Sequence, residues 1–440
     1  MMDYLEISQE LVDFIQNSPS MFHSCETISL VLEAAGFSYL NEGDAWQLEK
    51  GGKYYTTRNG SSLIAFTVGQ NLSDYHFQLT ASHSDSPSFK IKSVPILEGP
   101  GEYIRLNVEA YGGMIDASWF DRPLGIAGRV LVREDGKVVS KLLHIEDDVL
   151  IIPNVAIHMN RKINDGFSFN RQVDLCPLFS TGELKSEDFD RMIAEYLGIQ
   201  VEDILSSDLF VVNHQAPSIW GFAKEFVSTP KLDDLQCAYA ALKAFVSSEN
   251  DETINVYACF DNEEVGSNTK QGAMSTFLYD SLQRINSALG YTSEDYYRAV
   301  AKSFLVSCDN GHAVHPNHGE MADDGNRSYM NKGIVLKEAA NQKYTTDAFS
   351  RAVFKEICHK AQVPYQYFAN RSNMAGGSTL GNLSNIQVSL HALDIGLPQL
   401  AMHSAYETCG SKDTLYAVEA LTQFYNSTIK VNSAFDFSIN

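Results

Sequence analysis

The sequence predicts an α/β fold, a sheet covered by helices on both faces, interrupted by a β-rich insertion. Three observations lead there. After Pro230 strand-like and helix-like runs alternate; from about Lys92 to Pro230 the texture is short strands and turns; before Lys92 strand-like runs appear again. Strands that alternate with helices bury a sheet on both faces, and the turn-rich middle then interrupts that pattern as an insertion.

Taken in order, MMDYLEISQELVDFIQ reads as an amphipathic helix. Its apolar Leu5, Leu11, Phe14 and Ile15 are interrupted and its charges are acidic, which is not the pattern of a secretion signal. The segment WQLEKGGKYYTTRNGSSLIAFTVG reads as strands joined at Gly-Gly and Asn-Gly turns, followed by the strand YHFQLTASH. The middle offers EYIRLNVEAYGG, AGRVLVREDGKVV and HIEDDVLIIPNVAIHM as short strands, then SEDFDRMIAEYLG as an acidic helix. Beyond Pro230 come LDDLQCAYAALKAFV, TINVYACF, STFLYDSLQRINSAL, KSFLVSCD, FSRAVFKEICHKA, YQYFA and DTLYAVEALTQFYNSTI. In the first of these Leu232, Leu235, Ala238, Leu242 and Phe245 recur at helical spacing, and Thr229 before Pro230 predicts the helix start.

The chain has 440 residues, enough for two or three domains, and is 44% hydrophobic and 20% charged, an ordered composition. No apolar run approaches the roughly 18 residues of a membrane helix. Seven scattered cysteines, odd in number and without a CxxC spacing, point to reduced thiols in a cytoplasmic setting and to no sulfur-based metal site. The net charge of −22 argues against nucleic acid as a partner and means that an acidic substrate needs a local cation.

Strand ends are where an α/β sheet presents side chains to a ligand. His83 and Asp85 end one candidate strand; Asp261, Glu263 and Glu264 end another, in FDNEEVGS; Asp309 ends a third; His403 follows a fourth; and Asp233 and Asp234 open a helix. Each has a bland reading as a solvated acid, a helix cap or a hydrogen-bonded imidazole. Together they supply what a two-metal hydrolytic site needs: a carboxylate to bridge two dications about 3.5–4 Å apart, further carboxylates and imidazoles, and an unliganded acid to move a proton. Adjacent Glu263 and Glu264 diverge, so one serves the metal and the other the substrate.

The blocks SHSDSP, YGGMIDASWFDRPLGIAGRV, AIHMNR, PKLDDLQ, FDNEEVGS, CDNGHAVHPN, GIVLKE, GGSTLG and AMHSAYE, in that order, resemble the aspartyl aminopeptidase family of zinc metallopeptidases, in a bacterial-type member. The resemblance implies a doubly wound mixed sheet of the zinc-exopeptidase type in residues 1–91 and 231–440, with an inserted β-rich dimerisation domain in 92–230. It implies His83 and Asp309 as ligands of one metal, Glu264 and His403 of the second, Asp233 as the bridge, Asp85 as the group orienting His83, and Glu263 as general base. Zinc is the implied ion, with manganese or cobalt acceptable to the same donors. Lys337 matches the residue that pairs with an acidic N-terminal side chain, and His158 one that enters a neighbouring subunit's site. A cytoplasmic homododecamer acting on short peptides is implied, with neither nucleic acid nor membrane as partner. Asp234 departs from the family, which more often has Asn there. His312, His315 and His318 are expected in loops around the site and not as ligands. Asp261 is expected to support its loop by hydrogen bonding or to stand behind the ligands without being one, Gly266 to turn the chain toward a helix, and Ser267 to cap that helix. The alternatives are an aminopeptidase of neutral specificity and a silent metal-stabilised scaffold.

Overall fold

Period-two alternation in the strands decides which helices cover which face of the central sheet. In the computed structural model, which describes residues 3–374 and 376–440, Leu63, Ala65, Tyr257 and Cys259 point into one apolar core. Their strand neighbours Ile64, Phe66, Val256 and Ala258 point into the other. The first core is closed by the helices Tyr4–Gln16, Leu232–Val246, Ala348–Ala361 and Asp413–Asn426; the second by Phe277–Ala288, Ser293–Lys302 and Leu380–Ser384. Met1 and Met2, which open the N-terminal run read as a helix, lie outside the described residues. That helix starts at Tyr4, and the Asp3 carboxylate accepts the N–H of Leu5 as its cap.

Among the described residues the central sheet has nine strands and is mixed. In spatial order they are Ser38–Tyr39, Lys53–Arg58, Ser62–Val68, Ile254–Phe260, Phe77–His83, Phe304–Cys308, His391–Gly396, Ile334–Glu338 and Tyr365–Ala369. Ile254–Phe260, Phe77–His83 and Phe304–Cys308 are mutually parallel, with Phe260 opposite His83 and Ser307 opposite Ala81. Their C-terminal ends therefore stand side by side.

A second, six-stranded sheet is built from strands between Ser88 and Asn213, around a core that includes Phe89, Trp119, Ile126 and Val211. The strands Ser218–Trp220 and Phe226–Thr229 belong elsewhere. They join a five-stranded sheet with Glu407–Gly410, Pro398–Leu400 and Gly311–His312, in which Thr229 faces Glu407. This pairing corrects the expected helix start. Thr229 is the last residue of a strand, and the helix begins at Leu232 after Lys231 in a left-handed conformation, φ +59°.

Candidate metal centre

The parallel strands deliver His83, the turn after Phe260 and Asp309 to one edge, and the five-stranded sheet brings Asp233 and His403 against them. Asp233 and Asp234 lie within the helix Leu232–Val246 but have non-helical backbone angles, and both are buried. One oxygen of Asp233 is 3.5 Å from Nε2 of His83, and the other is 3.2 Å from Nε2 of His403. Nε2 of His403 is also 3.3 Å from Oε2 of Glu264. Potential donor atoms lie within 4.8 Å of one another in three groups: His83 with Asp233, Asp234 and Asp309; His83 with Glu263 and Glu264; and Asp233 with Glu264 and His403.

Asp234 is already used. Its two oxygens accept the backbone N–H groups of His83, at 3.1 Å, and Asn310, at 3.2 Å, so it fastens two strand ends together. Asp85 plays a similar part. Its Oδ1 accepts the N–H of Glu263 and its Oδ2 the N–H of Glu264, both at 3.1 Å, and the Tyr111 hydroxyl donates to Oδ2 at 2.7 Å. His83 Nδ1 lies closer to the Asp85 carbonyl, 3.0 Å, than to its carboxylate, 3.5 Å. The main chain of Asp85 is thus the nearer group orienting the ring.

Two residues not singled out in the sequence complete the frame. Glu407, buried four positions after His403 in AMHSAYE, accepts the N–H of Asp233 at 3.0 Å and of His403 at 2.7 Å. Tyr111 ends a strand of the second sheet, and its chain neighbour Gly112, at φ +78°, passes so close that a Cβ there would meet the Glu264 side chain at 3.1 Å. Asp261 is buried and serves its loop as expected, its N–H donating to Ser62 Oγ and its carboxylate accepting from Asn262. Glu263–Val265 forms a single 3₁₀ turn, and Gly266 and Ser267 both have positive φ. Ser267 caps no helix, its hydroxyl having no partner among the described residues.

The cluster holds more negative charge than its imidazoles can balance. Burial pushes Glu263 up to about 8, with Asp309, Asp85 and Asp233 adding repulsion against the pull of His83. Burial and Asp233 push Glu264 well above the carboxylate range. Asp309 is raised by burial despite Lys337 beside it. His83 is pushed upward although burial opposes it, because Asp233, Asp234 and Asp85 surround it. Within this cluster Asp233 Oδ1 and Glu264 Oε1 are buried with no hydrogen-bond partner among the described residues. Orphaned carboxylate oxygens between neutralisable imidazoles fit divalent cations, which would offset both the burial and the repulsion.

A cavity of about 300 Å³ opens onto the cluster and is lined by His83, Asp233, Glu263, Asp309 and His403 together with Lys337, His312, Tyr344 and Phe368. Lys337 is buried, donates to the Asn310 carbonyl at 2.7 Å, and has its Nζ 3.4 Å from Asp309. His158 lies in an exposed turn and is not part of this cavity, and His315 and His318 face a neighbouring one.

A model of the aminopeptidase I zinc metalloproteases, the M18 family, matches residues 14–425. The chain belongs to that family. It is therefore an M18 metallo-aminopeptidase, in agreement with the resemblance carried by its motifs. It is 46% identical over 432 residues to a probable M18 family aminopeptidase 2 of Clostridium acetobutylicum, covering 97% of this chain and 100% of that one. Its fold superposes on a chain of the Ape4 and Nbr1 complex with a TM-score of 0.93 at 35% identity, covering 96% of this chain and 86% of that one. The S. cerevisiae mApe1 dodecamer gives 0.85 at 29% identity, with 96% and 97% covered. Among the described residues no helix of this M18 chain is long and apolar enough to cross a membrane.

Proposed function

We propose that this chain removes N-terminal residues from short peptides by a two-metal mechanism, with acidic residues preferred. The observation that carries the reading is Asp233, one oxygen of which lies toward His83 and the other toward His403. A carboxylate so placed suits two ions held side by side. His83 and Asp309 would hold one ion, Glu264 and His403 the other, with Asp233 between them. Zinc is the expected metal, and manganese or cobalt suits the same donors.

When bound, such ions supply a water of lowered pKa and polarise the scissile carbonyl. The chain's own residues do the rest. Asp85 orients His83 and, through the two N–H groups it accepts, the turn that carries Glu263 and Glu264. Glu263 lines the cavity and makes no side-chain hydrogen bond among the described residues. It takes a proton from the attacking water and passes it to the leaving amine.

Lys337 has three N–H donors. Asn310 and Asp309 occupy two of them, leaving one for the side-chain carboxylate of an N-terminal Asp or Glu. The same contacts favour a second reading, in which Lys337 only balances Asp309 and the specificity is neutral. His158 is assigned to the site of a neighbouring subunit in a cytoplasmic homododecamer of the mApe1 kind, assembled through the second sheet. Peptides beginning with Asp, Glu or Leu, assayed before and after chelation and after restoring zinc, manganese or cobalt, test these points. Full activity after chelation refutes the metal mechanism, and equal rates on all three peptides refute the acidic preference.

A further inference from the structure

Beside the site cavity lies a second one, of about 310 Å³, and the two share His312, Phe368 and Gly377. The His312 and Phe368 rings stand roughly edge-on with centroids 6.3 Å apart, at the boundary between the cavities. Beyond them the walls carry Arg327, Asn370 and Arg371. Among the described residues the one carboxylate in that lining is Asp323, whose Oδ1 is held by its own turn, accepting the N–H groups of Gly325 and Asn326 and the side-chain amide of Asn326.

Arg327 is partly committed, with Nε donating to the Asp323 carbonyl at 2.8 Å and Nη2 lying 3.4 Å from Asp324. Arg371 is not. Among the described residues its guanidinium makes no hydrogen bond and no ion pair, although the chain carries a net charge of −22. The guanidinium is exposed and near enough to Glu320 to help hold that carboxylate below its usual range, yet it bonds neither that acid nor any other among the described residues. Here it lines a cavity that opens toward the metal cluster. Its fork of N–H donors matches a carboxylate in geometry as well as in charge.

We propose that the second cavity binds a carboxylate on the portion of the substrate released by cleavage, with Arg371 as its partner. The carboxylate is either the peptide's C-terminal one or an acidic side chain near it. This rests on the aminopeptidase reading above and deepens it. The N-terminal residue sits at the metals, the chain passes His312 and Phe368, and its far end is held by the guanidinium. Short peptides are then selected at both ends.

The test uses the intact, metal-loaded assembly and three substrates: Asp-Ala-Ala as the free acid, Asp-Ala-Ala amide, and Asp-Ala-Glu amide. The wild-type kcat/KM for the free acid should exceed that for its amide by about tenfold, mostly through KM. Arg371→Ala should bring that ratio close to one, and Arg371→Lys should restore part of it. Asp-Ala-Glu amide separates the sources. Behaviour like the free acid means that a side chain serves, and behaviour like the plain amide means that the C-terminal carboxylate is required; either supports the cavity as a carboxylate site. Equal wild-type rates on all three substrates overturn the proposal. So does an Arg371→Ala enzyme that is slower on every substrate with its ratio intact, the mark of a merely structural arginine. Failure of the aminopeptidase reading looks different: the wild type then hydrolyses none of the three, and both proposals fall.

Discussion

Oδ1 of Asp85 accepts the backbone N–H of Glu263 at 3.1 Å while the Asp85 carbonyl lies 3.0 Å from Nδ1 of His83. One residue therefore sets the position of the proposed base and the orientation of a proposed ligand. Asp85→Ala keeps the carbonyl but removes both acceptors for the Glu263–Glu264 turn. Activity should fall by roughly 10–100-fold, with weaker metal retention on dialysis. Metal stoichiometry and kcat measured on the same preparation check this, and an enzyme unchanged in both would remove Asp85 from the site.

Glu263 and Glu264 should separate cleanly. Glu264 has one oxygen 3.3 Å from His403 and the other orphaned in the cluster, whereas Glu263 faces the cavity. Glu263→Gln is expected to retain its metal while kcat falls on the order of 10²–10⁴-fold. Glu264→Gln is expected to lose one ion as well as activity. Full peptidase activity in Glu263→Gln would refute the proposed mechanism.

Acid should destabilise the fold through two buried histidines that are not among the proposed metal ligands. Burial lowers His76 to about 4 and His23 to about 3, so both are neutral when folded. In the unfolded chain they titrate near 6.5. Above that pH neither state takes up a proton. As pH falls through 6.5 the unfolded state binds protons that the folded state refuses, and stability is lost by about 1.4 kcal/mol per pH unit for each histidine until the folded value is reached. Urea midpoints at pH 7.5, 6.0 and 5.0 should fall less steeply for His76→Gln than for the wild type. Parallel curves would show that His76 is not held neutral.

What could be read in the sequence was whatever is written locally. The apolar runs ending at His83, Phe260 and Cys308 announce buried strands, and the acids and histidine at their ends announce a site, because such groups are costly to bury without a partner. What could not be read depends on pairing across long separations. Glu407 faces Thr229 across 178 positions, and no local pattern says that a glutamate in Glu-Thr-Cys-Gly will hold the main chain of Asp233. The same pairing displaced the helix start, since Thr-Pro is as good an opening for a helix as it is an ending for a strand. Tyr111 was hidden for a related reason: its strand belongs to the second sheet, but its hydroxyl reaches Asp85.

Lys337 decides between the two readings of specificity. Its ammonium touches Asp309 and the Asn310 carbonyl in a buried setting, and the neighbouring carboxylate helps to hold it charged against burial. Replacing it by Met keeps the stem volume but removes the charge, which affects both Asp309 and any acidic substrate. Total activity is therefore a poor measure, and the ratio of rates on Asp- and Leu-terminated peptides is the informative one. If Lys337 recognises the substrate, the ratio should fall by about tenfold or more in Lys337→Met, in line with loss of one charge-assisted hydrogen bond. If Lys337 only balances Asp309, both peptides should slow together, metal affinity should change, and the ratio should stay where it was.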